Sequence, residues 1–162
     1  MTGPTYDTLD VPVRGGALRV GRWTASDPAA PVVLAVHGVT ANHLAWQALA
    51  ALDRFTVVAP DLRGRGASAG LRGPYGLERH AADVTAVLDS LGADGDPGAE
   101  ASVLVGHSMG AYVATLATAG VARERMHGLV LVDGGLSFPT PPGADIDAIL
   151  SAVIGPSLDR SR

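Results

Sequence analysis

The segment Gly106-His107-Ser108-Met109-Gly110 decides how this chain folds. It matches the pattern G-x-S-x-G, in which a serine occupies a strained turn between a strand and a helix and presents its hydroxyl group above a sheet. The neighbouring sequence fits this geometry, because an apolar run precedes the segment and a helical pattern follows it. We therefore predict that Ser108 is a nucleophile; a purely structural turn is the alternative.

Two backbone N–H groups are candidates for an oxyanion hole. The N–H of Met109 opens the helix that follows the serine, where it can donate to a developing negative charge. His37-Gly38 directly follows another buried apolar run, so a glycine-containing loop is expected at the same end of the sheet as Ser108. The N–H of Val39 is the predicted second donor, and His37 is expected to orient this loop rather than to act as a base.

Short apolar runs alternate with longer helical patterns along the chain. Four runs predict strands buried on both faces, at 32–36, 55–59, 102–105 and 129–132. Helices are expected at 45–52, 77–91 and 109–119. A β-hairpin is predicted from two strand-like stretches, 5–13 and 17–25. This order predicts an α/β fold, a mostly parallel sheet with helices on both faces.

Composition narrows the classes of function. The 162 residues contain no cysteine, which excludes disulfides and thiolate metal sites, and a net charge of -4 gives no electrostatic case for nucleic acid. No apolar run reaches the roughly 20 residues that span a bilayer, and no signal peptide is visible. We expect a cytoplasmic protein that binds no membrane and carries no metal or cofactor.

The chain resembles the α/β-hydrolase superfamily, in particular its serine-dependent esterases, lactonases, cofactor-free perhydrolases and proline iminopeptidases. The resemblance covers residues 5 to about 135 and rests on four motifs in the family's order: 36–38, 59–68, 106–110 and 129–133. It implies an α/β-hydrolase fold truncated after the sixth strand. Residues 1–135 would be the N-terminal part of the core domain, and residues 136–162 the start of a cap or an irregular tail.

The resemblance implies hydrolysis of an ester or related acyl bond in a small molecule. Relatives that open epoxides carry an aspartate where this chain has Ser108, so the serine points to acyl transfer through a covalent intermediate. Leu44 and Phe138 are expected to line what remains of the substrate pocket. Five further residues are predicted to form that pocket: His37, Gly38, His43, Trp46 and His107.

A catalytic histidine is not visible. The family's order is nucleophile, acid, histidine, and none of the five histidines has the expected strand–loop context late in the chain. His80 is expected on a helix surface, and His127 at the end of the sheet opposite Ser108. Asp133 is either the acid or a cap on its strand. The chain is thus expected to be inactive or impaired, the alternative being a non-catalytic remnant that binds a ligand or partner.

Two further interpretations concern the loop after the second buried run and the last strand. Residues 64–69 formally match the dinucleotide pattern G-x-G-x-x-G/A, but four residues separate them from the strand, and Gly70, Gly73 and Pro74 prevent a helix. We predict a structural loop that Asp61 and Arg63 hold by hydrogen bonds.

The apolar strand at 129–132 would form a sheet edge, which makes self-association plausible.

Overall fold

Six strands form one sheet: Thr5–Val13 (β1), Gly16–Thr24 (β2), Val32–Val36 (β3), Thr56–Pro60 (β4), Ser102–His107 (β5) and Met126–Val132 (β6). Their order across the sheet is β1-β2-β4-β3-β5-β6. The β1–β2 hairpin and the β2–β4 pair are antiparallel, whereas β4–β3, β3–β5 and β5–β6 are parallel. The computed structural model describes residues 3–93, 102–120 and 126–135. The predicted α/β sheet is confirmed.

The helical segments are Gln47–Ala50 (α1), Leu77–Ala93 (α2) and Met109–Ala119 (α3), with 3-10 turns at His43–Trp46 and Gly66–Ser68. The two longer helices confirm the spacing-based prediction. The first helix is shorter than predicted. It begins as a 3-10 turn capped by the side chain of Asn42, and it ends before Asp53, whose φ of 52° turns the chain away from a helical path.

The central strands are buried on both faces, as continuous apolar runs predict. Every residue of β3 and β4 is buried. Alternate side chains of β3 enter two separate clusters: Val32, Leu34 and Val36 pack towards α2 and α3, while Val33 and Ala35 pack on the side of α1. This two-sided core fixes the positions at which the strands end, and those ends carry the candidate site.

Strand β6 begins at Met126, three residues earlier than predicted. Ser102 pairs with Met126 and Val103 pairs with Gly128, so His127 forms a bulge without a partner across the strand. The polar His127 and Gly128 interrupt the apolar pattern, which explains why the sequence misses this part. β6 is the edge of the described sheet, and Val130 and Val132 are 46% and 43% exposed. Self-association through this edge stays a prediction.

No helix in the described ranges is long and apolar enough to cross a membrane. Residues 136–162 lie outside the described residues, so the predicted cap or tail and the pocket assignment of Phe138 fall there.

Candidate active site

Ser108 occupies the turn between β5 and α3. Its φ of 52° and ψ of -121° are a conformation that non-glycine residues rarely adopt and that costs about 1–3 kcal/mol. Two backbone hydrogen bonds hold this turn: the Ser108 N–H donates to the carbonyl of Val132 at 2.9 Å, and the Ser108 carbonyl accepts from the N–H of Ala111 at 2.9 Å. The strained strand-to-helix turn that the motif predicts is therefore present.

The two glycines of the motif lie where backbone segments cross closely. A Cβ at Gly106 would lie 2.6 Å from the Cα of Ala111 in the following helix. A Cβ at Gly110 would lie 2.6 Å from the carbonyl oxygen of His37 and closer still to that of Val36. Real Cβ atoms essentially never approach other atoms this closely, so both positions require glycine.

The Gly38-Val39 loop lies directly against Ser108. A Cβ on Gly38 would be 3.3 Å from the Cβ of Ser108 and 3.3 Å from Nδ1 of His107. Gly38 is buried and Val39 is half-buried. The loop that is predicted to carry the second oxyanion donor therefore reaches the serine.

His37 holds this loop through both of its ring nitrogens. Nε2 accepts a hydrogen bond from the N–H of Leu62 at 3.0 Å, which leaves Nδ1 to donate to the carbonyl of Gly38 at 2.7 Å. The C=O of Gly38 and the N–H of Val39 belong to one planar trans peptide and point in opposite directions. His37 therefore sets the direction of the Val39 N–H, and burial lowers the pKa of the ring, which favours its neutral form.

A cavity of about 300 Å³ opens beside this turn. Three of the five residues predicted for the substrate pocket line this cavity, and Gly38 follows one of them in the chain. The lining residues are His37, Ala45, Trp46, His107 and Val132. Leu44 is 49% exposed and does not line this cavity.

His43 lies outside this cavity, against the hairpin. Its Nδ1 is 2.7 Å from Oδ1 of Asp61, and its Nε2 is 2.9 Å from the hydroxyl of Tyr6. The ring is buried, and ring contacts to Tyr6 and Trp23 complete its surroundings. These contacts make His43 a bridge between β1 and the loop after β4, a role that its sequence context does not reveal.

The loop after β4 is held by buried side chains, as predicted. Asp61 accepts hydrogen bonds from the backbone N–H groups of His43 and Ala67, both at 2.7 Å. Arg63, only 1% exposed, forms a bidentate pair with Asp83 of α2, with both N–O distances at 2.9 Å. The 3-10 turn replaces the helix that a dinucleotide fingerprint needs.

The prediction that His80 lies on a surface is wrong. The side chain is 3% exposed and faces the loop after β4 from α2. Burial, followed by the charge of Arg65, lowers its pKa from 6.5 to about 4. Histidine ranks as a polar residue on hydrophobicity scales, so the sequence favours a surface position. Helix spacing alone does not show that the adjacent loop covers this residue.

His80→Leu is expected to reduce the acid sensitivity of folding. Because the pKa of His80 is lower in the folded chain, the unfolded chain binds the proton first, and the free energy of unfolding falls from about pH 6.5 to about pH 4. Between pH 7 and pH 4.5 the loss corresponds to about 2 kcal/mol. Urea unfolding at pH 7 and pH 4.5 measures this loss; an equal loss in the variant would contradict the assignment.

Asp133 lies at the carboxyl end of β6, close to Ser108 but exposed. Its neighbour Val132 accepts the Ser108 N–H, and a Cβ at Gly134 would be 2.9 Å from the Ser108 carbonyl. Within the described part of the chain, no histidine is hydrogen-bonded to Asp133 or to Ser108. Its role as the acid stays a prediction.

Comparisons with known proteins bear on the fold and the family of this chain. The model of the Alpha/beta hydrolase family matches residues 32–162. The chain is 38% identical over 118 residues to epoxide hydrolase A of Mycobacterium tuberculosis, covering 70% of this chain and 34% of that protein. The thioesterase domain from the curacin biosynthetic pathway superposes with a TM-score of 0.67 at 27% identity, covering 93% of this chain and 51% of that one. An M. tuberculosis esterase gives a TM-score of 0.63 at 30% identity, covering 94% and 47%.

The sheet order and the serine turn define an α/β sheet protein with a candidate site at the carboxyl ends of its parallel strands. This chain belongs to the alpha/beta hydrolase family. It spans about a third of the length of epoxide hydrolase A and about half of the two solved structures.

Sequence reasoning missed one residue beside the site, Arg65. Its Nε donates to the carbonyl of Val39 at 2.6 Å, and its Nη2 lies 3.9 Å from the sulfur of Met109. The only signal in the sequence is a cation in a glycine-rich loop without an acidic neighbour on either side.

Proposed function

We propose that this chain supplies the nucleophile and the oxyanion hole for hydrolysis of an ester or related acyl bond in a small molecule. The observation that carries this proposal is the strained backbone of Ser108 at the strand-to-helix turn, with the Gly38-Val39 loop packed against it. A turn that served only to connect β5 to α3 would not need a non-glycine residue at a φ of 52°.

In the proposed reaction, Oγ of Ser108 bonds to the carbonyl carbon while its proton passes to a base. The N–H groups of Met109 and Val39 bind the resulting oxyanion, each contributing about 3 kcal/mol. Collapse of this intermediate breaks the bond to the alcohol, which takes up the proton, and water then cleaves the acyl-serine by the same steps. A histidine usually serves as the base.

None of the five histidines is hydrogen-bonded to Ser108 in the described residues, and His107, its neighbour in the chain, lines the adjacent cavity. The rings of His37 and His43 use both nitrogens, and His80 is buried in α2. His127 lies at the start of β6, whereas Ser108 contacts the end of that strand. We therefore propose that the base comes from outside these 162 residues.

Two other functions fit less well. Epoxide opening in this family uses an aspartate at the position of Ser108, so similarity to epoxide hydrolase A supports the family more than that reaction. A non-catalytic remnant would keep the fold, but no selection for a strained serine would remain. Both alternatives predict that Ser108 makes no contribution to acyl transfer.

Imidazole added to the solution is expected to substitute for the missing base. With p-nitrophenyl acetate, the wild-type chain plus imidazole should exceed the rate of imidazole alone by about tenfold or more. Ser108→Ala should give only the background rate, and Ser90→Ala, on the far helix α2, should behave as wild type. Equal rates for wild type and Ser108→Ala would contradict the proposal and favour the remnant.

A further inference from the structure

Arg65 contacts both residues whose N–H groups form the proposed oxyanion hole. Nε donates to the carbonyl of Val39 at 2.6 Å, and Nη1 donates to the carbonyl of Arg63 at 3.2 Å. Nη2 lies 3.9 Å from the sulfur of Met109. Three of the five guanidinium N–H groups are thus directed at neutral atoms, which leaves one on Nη1 and one on Nη2.

The charge of Arg65 has no carboxylate within 4 Å among the described residues, although the side chain is half-buried. Four other arginines do have such a partner: Arg19 with Asp10, Arg22 with Asp7, Arg63 with Asp83, and Arg79 with Asp83. Buried charges are normally paired, because removing them from water is costly. In agreement, burial lowers the pKa of Arg65; the phenol of Tyr75 opposes this effect, but no carboxylate does.

A second cavity of about 360 Å³ opens at Arg65. It is lined by Val39, Thr40, Gly64, Arg65 and Tyr75. Val39 therefore belongs both to this cavity and to the loop that packs against Ser108. Through Val39 and Met109, the guanidinium therefore adjoins both residues whose N–H groups are proposed to face a carbonyl bound at Ser108.

We propose that Arg65 binds a free carboxylate of the substrate, so that the preferred substrates are monoesters of short dicarboxylic acids. The inference rests on the proposed function, since it assigns the substrate class of the same site. The two remaining N–H groups match the two oxygens of a carboxylate. The competing explanation is that Arg65 only positions Val39, in which case it would affect neutral and anionic substrates equally.

Binding to the complete 162-residue chain tests this assignment without requiring turnover. The probes are monomethyl succinate and methyl butyrate, which differ by a terminal carboxylate in place of a methyl group. We expect the N–H resonances of Val39, Thr40 and the Arg65 side chain to shift with monomethyl succinate, at an affinity at least about tenfold higher than for methyl butyrate, which corresponds to about 1.4 kcal/mol. Raising the salt concentration should weaken only the anionic ester.

Arg65→Gln retains a side-chain donor but removes the charge, and it should abolish the tenfold preference. Arg65→Lys should keep part of it, and Arg22→Met, which removes a cation from the hairpin, should keep all of it. Equal affinity of the wild-type chain for the two esters, absence of binding by both, or a preference that survives in Arg65→Gln would overturn the proposal. These outcomes are separate from Ser108 reactivity: carboxylate preference with an inert serine would refute the hydrolase proposal alone.

Discussion

Replacement of Gly110 by alanine is expected to lower the free energy of unfolding by about 3 kcal/mol. In an exposed helix this change would be favourable by about 1 kcal/mol, because alanine is the better helix former. Here the added methyl group would collide with the backbone carbonyls of Val36 and His37. Neither carbonyl can turn away as a side chain can, so β3 and α3 must separate.

Gly120→Ala is the matched control at the end of the same helix. Its added Cβ would meet only the carbonyls of Ala117 and Leu116, at 3.6 and 3.8 Å, which are ordinary contacts. We expect a change within about 0.5 kcal/mol. Urea unfolding of both variants measures the difference, and a Gly110→Ala protein as stable as wild type would show that the helix and strand are not in contact at this point.

The same substitution is expected to disturb the candidate site. The carbonyls of Val36 and His37 immediately precede the Gly38-Val39 loop, so separating α3 from β3 moves the proposed oxyanion donor away from Ser108. Close packing at Gly110 therefore couples the stability of the fold to the geometry of the candidate site.

The central architecture could be predicted because its signals are local. The runs at 32–36 and 55–59 are apolar at every position, and only a strand buried on both faces accommodates that pattern. The turn at Ser108 could also be predicted, since a glycine pair around a serine between a strand and a helix has few other geometries. Helix α3 matched its predicted bounds for the same reason.

The remaining features depend on contacts between distant segments. His80 is buried because the loop after β4 covers α2, and no pattern within the helix records that cover. His43 bonds to Tyr6 and Asp61, which are 37 and 18 residues away in the sequence. Arg65 lies beside Val39 through a contact between two loops, and the two residues are 26 positions apart in the sequence. Such placements depend on how the sheet assembles, so local sequence patterns do not predict them.

The central claim is that Ser108 is the nucleophile. The most direct measurement treats the wild-type chain with a fluorophosphonate in the presence of imidazole, followed by intact-mass analysis and peptide mapping, with Ser108→Ala as the control. The account predicts one phosphonyl group per chain, on the peptide that contains Ser108, and no adduct on Ser108→Ala. A folded wild-type chain that gains no adduct, or an adduct that maps instead to the partly exposed Tyr6 hydroxyl beside His43, would contradict it.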